Sequence, residues 1–240
     1  SCARPLYVVG GIEASGHISP TVVVEARNNV GSKRVAWYER QMASAYPALP
    51  SVASLIARDD DRSAVVHAQV KSVNSAACCD LMRSLQLEIL ILGGIGIVKD
   101  AVLDCARHGA VNCHPGLLPW IQGSLPVAQS LVRGIPIASS CHRVSSDLDK
   151  GPLIDISYVD RARSGDRFED IILAVCRLAA RQAHSVLCSL ALTDKVPSCA
   201  PLSLDEGECF TWDDDIEAAA KRVLLEEDAK IVLPRPGRRG

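Results

Sequence analysis

Gly109-Ala110-Val111-Asn112-Cys113-His114-Pro115-Gly116-Leu117-Leu118-Pro119 is the stretch that decides how this chain reads. Its apolar start is a buried strand end. Side chains on a strand alternate faces with period two, so Asn112 and His114 point one way and Cys113 the other. An amide and an imidazole therefore stand together at the carboxyl end of a strand, where open α/β sheets keep their ligand crevices. Pro115, Gly116 and Pro119 stiffen and turn the exit. An Asn there can donate to a developing oxyanion, and a His can move a proton.

Working outward, Leu6-Tyr7-Val8-Val9 reads as a first strand ending at Gly10-Gly11. Pro20 to Asn29 reads as a helix capped by Ser19, although its Val22-Val23-Val24 run favours β structure. Arg34–Tyr38 and Ala64–Ala68 read as strands, with irregular chain over 41–62. A helix starts at Asn74 or Ser75 and runs to Leu87. Glu88-Ile89-Leu90-Ile91-Leu92 is the strongest strand, followed by a helix over Lys99–His108. Pro126 opens a helix that Gly134 closes. Ala138–Val144 and Leu153–Val159 read as two more strands, close enough to pair antiparallel. Residues 167–191 form a long helix and Ile216–Glu226 a short one, with a loose tail over 234–240. Strands alternating with helices imply an α/β fold, a doubly wound and mostly parallel sheet. The division expected is a domain over 1–193 and a C-terminal appendage over 194–240.

Of the 240 residues, 48% are hydrophobic, enough for a sizeable core, and 22% are charged. The net charge of −2 argues against a non-specific nucleic-acid binder, which carries a basic stripe. No apolar run reaches the roughly 18 residues of a membrane span, and no signal peptide is visible. Ten cysteines without a Cys-x-x-Cys make a zinc site unexpected and fit free thiols in a reducing cytoplasm. No metal, membrane or nucleic-acid partner is expected, and nothing sets the oligomeric state.

Asn112-x-His114-Pro115, Leu117-Leu118-Pro119, Gly123 and Leu148-Asp149-Lys150-Gly151-Pro152 together resemble the folate-dependent formyltransferases. That family includes glycinamide ribonucleotide formyltransferase and the catalytic domain of methionyl-tRNA formyltransferase. The resemblance covers residues 87–156 and implies a Rossmann-like formyltransferase fold. It also implies that a formyl group passes from 10-formyltetrahydrofolate, the co-substrate, to an amine through a tetrahedral intermediate. It assigns Asn112 and His114 to the oxyanion and the proton movement. Asp149 would polarise His114, raising its pKa and setting its tautomer. The folate would lie against Gly93, Gly94, Ile95, Gly96, Val98 and Leu103, with Ser145, Ser146, Asp147 and Leu148 closing the other side. The Leu118–Pro119 bond is expected to be cis.

Two positions depart from the family pattern. Gly116 stands where many members have Ser, and Gln122 where many have a basic residue. Cys141 and His142 face opposite ways on one strand and read as packing residues. The acceptor expected is a small-molecule or carrier-held amine. Members acting on methionyl-tRNA carry a further C-terminal domain, and little chain follows the long helix here. The rivals are a formyl-tetrahydrofolate hydrolase, the same site adapted to another acyl transfer, and a non-catalytic folate-binding module. A nicotinamide oxidoreductase lacks its fingerprint, because Gly93-Gly94-x-Gly96 does not complete G-x-G-x-x-G.

Overall fold

The computed structural model describes residues 4–9, 22–26, 66–70, 72–92, 97–160, 162, 165–201, 207–211 and 213–226. Expectations for residues 34–38, 41–62 and 234–240 lie outside them. The chain divides into two compact units, Ser1–Asn112 with Val186–Pro197, and Cys113–Ser185 with Ser198–Gly240. The stretch expected as an appendage is split between the two.

The first unit holds β1 (Arg4–Val9), β2 (Val22–Ala26), β3 (Val66–Val70), α1 (Ala76–Ser84), β4 (Ile89–Leu92) and α2 (Asp100–Leu103). It also holds the start of β5 (Ala110–His114). Its strands run in the order β3-β2-β1-β4-β5. The sheet is mixed: β1 is antiparallel to both β2 and β4, while β2–β3 and β4–β5 are parallel. The helix expected over Pro20–Asn29 is replaced at its centre by β2, so the β-branched valine run outweighs the capping signals there. The helix expected over Lys99–His108 is only the four residues of α2. Beyond it, Arg107 and His108 donate their amides to Leu87 and Glu88, extending the ladder that leads into β4.

All four side chains of β4 are buried, as a strand covered on both faces requires. Ser75 caps α1 by accepting from the Cys78 amide. Burial pushes the Cys78 thiol up to about 11, aided by the neighbouring Cys79 and Cys105. Such a thiol stays protonated and acts as a small apolar group. None of the nine cysteines among the described residues is in a disulfide.

The second unit holds β6 (Ile121–Gly123), α3 (Pro126–Arg133), β7 (Ala138–Arg143), β8 (Leu153–Tyr158), β9 (Glu208–Phe210) and α5 (Asp214–Leu225). Most of α4 (Phe168–Thr193) belongs to it. Pro126 and Gly134 start and stop α3 as expected, Gly134 in the left-handed region at φ 63°. β7 and β8 pair antiparallel, with a bulge between Cys141 and His142. β6 pairs parallel with β9; neither strand is expected from the sequence. Three-residue strands are too short to show a period.

Among the described residues one helix, α4, is long and apolar enough by length and composition to cross a membrane, and Arg177 and Arg181 interrupt its apolar run. Its Gln182 is buried and bonded to β7 and β8. The amide oxygen accepts from Ser139 Oγ at 2.7 Å, and Nε2 donates to Asp155 Oδ2 at 2.8 Å. Those polar contacts bind this helix to its own unit's strands.

Candidate active site

Residue parity on β7 sorts its contacts. Ser139 faces α4 through Gln182. Ser140, on the other face, accepts from the Leu118 amide at 3.0 Å and donates to the Gly116 carbonyl at 2.7 Å. Ser140 therefore anchors the turn after His114, in which the Leu118–Pro119 bond is cis as expected. His142 shares the face of Ser140.

His114, the last residue of β5, is 4% exposed. Its Nε2 lies 2.9 Å from the Ile121 carbonyl oxygen. A carbonyl only accepts, so Nε2 carries the hydrogen, and in the neutral ring Nδ1 is bare. Nδ1 faces Asp149 Oδ2 at 3.4 Å. The tautomer is thus set by a backbone carbonyl on β6 and not by Asp149.

Asp149 is 7% exposed and sits at φ 55°, a left-handed conformation that Asp tolerates better than most side chains. Its Oδ2 accepts from the Gly123 amide at 2.9 Å. Its Oδ1 lies 3.6 Å from His142 Nε2, and His142 Nδ1 donates to the Arg143 carbonyl at 2.9 Å. His142 is 2% exposed. The carboxylate therefore stands between two buried imidazoles. The packing role expected for His142 is corrected: it faces Asp149 from β7.

Burial alone would raise the Asp149 pKa. The His142 imidazole, the His114 charge and the Gly123 amide outweigh it, and the carboxyl sits below its usual range. For His114 burial wins. Its pKa is lowered, although Asp149 and the Ile121 contact pull the other way and His142 adds to the lowering. The raised pKa expected from a neighbouring carboxylate is corrected, because desolvation of a fully enclosed ring exceeds that attraction. At neutral pH the pair is an anion beside a neutral base. A proton reaching Nδ1 would find Asp149 waiting, with both ring N–H groups then facing acceptors.

Asn112 is half-buried, two residues before His114 on β5. It belongs to the first unit, and His114 and Asp149 to the second. Of the expected folate residues, Gly93, Gly94, Ile95 and Gly96 lie outside the described residues. Val98 is buried, and Leu103, the last residue of α2, is half-buried. In the second unit Ser145 Oγ donates to the Asp147 carbonyl at 3.2 Å. Ser146 and Asp147 are exposed, and Leu148 is 41% exposed. Gln122, in place of a basic residue, is buried and donates to the Pro119 carbonyl at 3.0 Å. The Ile121 carbonyl and the Gly123 amide carry no side-chain signal, so sequence reading passes over them.

A family model described as formyl transferase matches residues 24–172, more than half of the chain. The chain belongs to the formyl transferase family. The match extends beyond both ends of the stretch 87–156 on which the sequence resemblance rests. The chain is 30% identical over 165 residues to the methionyl-tRNA formyltransferase of Acidothermus cellulolyticus, covering 65% of this chain and 49% of that one. It is 26% identical over 147 residues to that of Thermotoga neapolitana, covering 60% and 45%. The chain thus spans about half the length of these curated relatives. Among solved structures, the formyltransferase PseJ from Anoxybacillus kamchatkensis, in complex with UDP-4,6-dideoxy-4-formamido-L-AltNAc and tetrahydrofolate, is 18% identical with a TM-score of 0.56. The alignment covers 75% of this chain and 96% of that one. Glycinamide ribonucleotide transformylase 1 from Symbiobacterium toebii is 20% identical with a TM-score of 0.52, covering 76% and 80%. These likenesses show a shared formyltransferase fold.

Elsewhere in the first unit, ligand atoms of Glu88, His108 and Asp194 come within 4.8 Å of one another. The Arg107 guanidinium already lies 3.2 Å from Glu88 and 2.7 Å from Asp194. A cation seated there would meet an arginine, so this is an ion cluster centred on Arg107.

Proposed function

We propose that this formyl transferase family member moves a formyl group from 10-formyltetrahydrofolate to a primary amine of a small-molecule or carrier-held acceptor. The observation that carries the reading is the buried Asp149 carboxylate between His114 and His142, with His114 neutral and its Nδ1 turned toward that carboxylate. Attack of an amine on the formyl carbon makes a tetrahedral oxyanion and leaves a proton on the attacking nitrogen. Asn112 donates to the oxyanion. Asp149 and His114 take the proton, through water, onto Nδ1 and return it to the departing N10. An imidazolium there has the Ile121 carbonyl on one side and Asp149 on the other.

The folate residues of the sequence reading, Gly93 to Leu103 and Ser145 to Leu148, belong to this proposal. Leu148, exposed beside Asp149 in sequence, offers apolar surface to a ring. A cytoplasmic setting is part of it too, supported by the lack of disulfides among the described cysteines. A methionyl-tRNA acceptor is the second reading, favoured by the names of the sequence relatives.

The test is turnover of 10-formyltetrahydrofolate with a panel of amino-sugar nucleotides, glycinamide ribonucleotide, hydroxylated ornithine and methionyl-tRNA, and with water alone. A formamide product that requires one of the amines is expected. Asn112→Ala should lower kcat by about 10²–10³ with folate affinity nearly unchanged. His114→Ala with Asp149→Ala should cost far less than the two losses added. Formate release without an amine would favour the hydrolase, and folate binding without turnover the binding module. Near-normal transfer by Asp149→Ala would refute the mechanism.

A further inference from the structure

The strand β6 has two working edges. Peptide groups alternate sides along a strand. The Trp120 carbonyl accepts from the Glu208 amide at 3.4 Å, and the Ser124 amide donates to the Phe210 carbonyl at 2.8 Å. These groups serve β9. The Ile121 carbonyl and the Gly123 amide serve His114 and Asp149. One three-residue strand thus joins the C-terminal segment on one edge to the two site side chains on the other.

The seam is tight. A Cβ on Gly123 would lie 2.3 Å from the Phe210 carbonyl oxygen, and Gly123 itself has φ 83°. A Cβ on Gly207 would lie 2.2 Å from Gln122 Nε2 and 2.4 Å from the Pro119 carbonyl oxygen. Glu208 and Cys209 are exposed, so Phe210 is the one buried side chain of β9. The Arg133 guanidinium, at the end of α3, covers its ring at 4.1 Å.

We infer that β9, anchored by Phe210, is a positioning element of the transfer site: docked on β6, it holds the Ile121 carbonyl and the Gly123 amide in the orientations that set the His114 tautomer and seat the Asp149 carboxylate. An isolated three-residue strand does not hold its peptide planes, and pairing on one edge fixes the groups on the other. Phe210 acts through β6. The kinetic consequences rest on the proposed transfer; the geometric ones do not.

Two variants test this. Phe210→Ala removes the anchor, and Gly207→Ala wedges the seam without touching the anchor. Histidine ¹⁵N spectra, assigned with His114→Asn, report the ring tautomer, and a ¹³C carboxyl titration reports Asp149. In the unaltered protein His114 should read as the Nε2–H form. Both variants should blur that signal and move the Asp149 titration to higher pH, because the Gly123 amide no longer holds the anion. The groups facing Asp149, His114 from β5 and His142 from β7, remain in place. If the transfer reading also holds, kcat should fall tenfold or more with KM for 10-formyltetrahydrofolate within twofold. The acid limb of the rate profile should then move to higher pH. Phe210→Tyr should restore both spectra and rate, and Thr211→Ala, an exposed neighbour, should change nothing.

Folded variants with unaltered His114 and Asp149 signals would overturn the inference, whether or not activity is lost. Should Phe210→Ala fail to fold, Gly207→Ala decides on the same signals. A parent protein without turnover would sink the transfer reading and leave the spectra to decide this one.

Discussion

Replacing Gly116 by Ala adds one atom, and that atom lands 2.7 Å from His114 Nε2 and 2.9 Å from Pro126 Cβ. Ordinary contact begins at 3.4 Å, so the imidazole must retreat by about 0.7 Å (3.4 − 2.7) unless α3 gives way. The same Nε2 donates to the Ile121 carbonyl at 2.9 Å. Movement along that line would stretch the bond to about 3.6 Å (2.9 + 0.7), beyond useful hydrogen-bond length. Overpacking a filled site costs about 1–3 kcal/mol and a lost buried hydrogen bond about 0.5–1.5 kcal/mol, so a destabilisation of about 2–4 kcal/mol is expected. A catalytic group displaced by about 1 Å can lose about 10²-fold in rate, so this smaller shift should lower kcat by about 10–100-fold. Denaturant melts give the first quantity, and steady-state kinetics with 10-formyltetrahydrofolate the second. A variant with the parent's denaturant midpoint and a kcat within twofold would refute the reasoning, because the ring would then have had room to spare. Gly116 is a hydrogen-sized gap that the His114 ring occupies.

Two further predictions follow from the charges. His142→Gln removes the strongest single contribution that holds the Asp149 pKa down. The Asp149 pKa should therefore rise and the acid limb of kcat shift to higher pH; an unmoved limb would show that His142 does not act on Asp149. Stability should also depend on pH through His114, whose folded pKa lies below its ordinary 6.5. The unfolded chain then takes up the proton first, so stability is full above 6.5. As pH falls from 6.5 toward the folded value, stability drops by up to about 1.4 kcal/mol per pH unit. Asp149 adds a second loss below 3.8, as pH falls through its lowered folded pKa. Denaturant melts between pH 7.5 and 5 should show the first slope, and His114→Asn should lose that part of it; equal slopes in both proteins would contradict the burial argument.

Local rules decide the features that the order of residues makes legible. Alternation on one strand put Asn112 and His114 on a common face, and four consecutive apolar residues made β4 a buried strand. Pro126 and Gly134 bounded α3 through the φ values each favours, and the spaced motifs from Asn112 to Gly151 pointed to the family. Local rules failed where two of them competed, as at Pro20–Asn29, where capping residues flank a β-branched run that pairs into the sheet. Tertiary structure decided everything that depends on groups far apart in the chain. Asp149 meets His114 and His142 because a left-handed turn after β7 brings its carboxylate back to residues of β5 and β7. The tautomer of His114 comes from a backbone carbonyl seven residues on, and backbone groups carry no residue code to read. The direction of the His114 shift was set by enclosure: desolvation depends on what surrounds the ring, and no spacing along the chain records that.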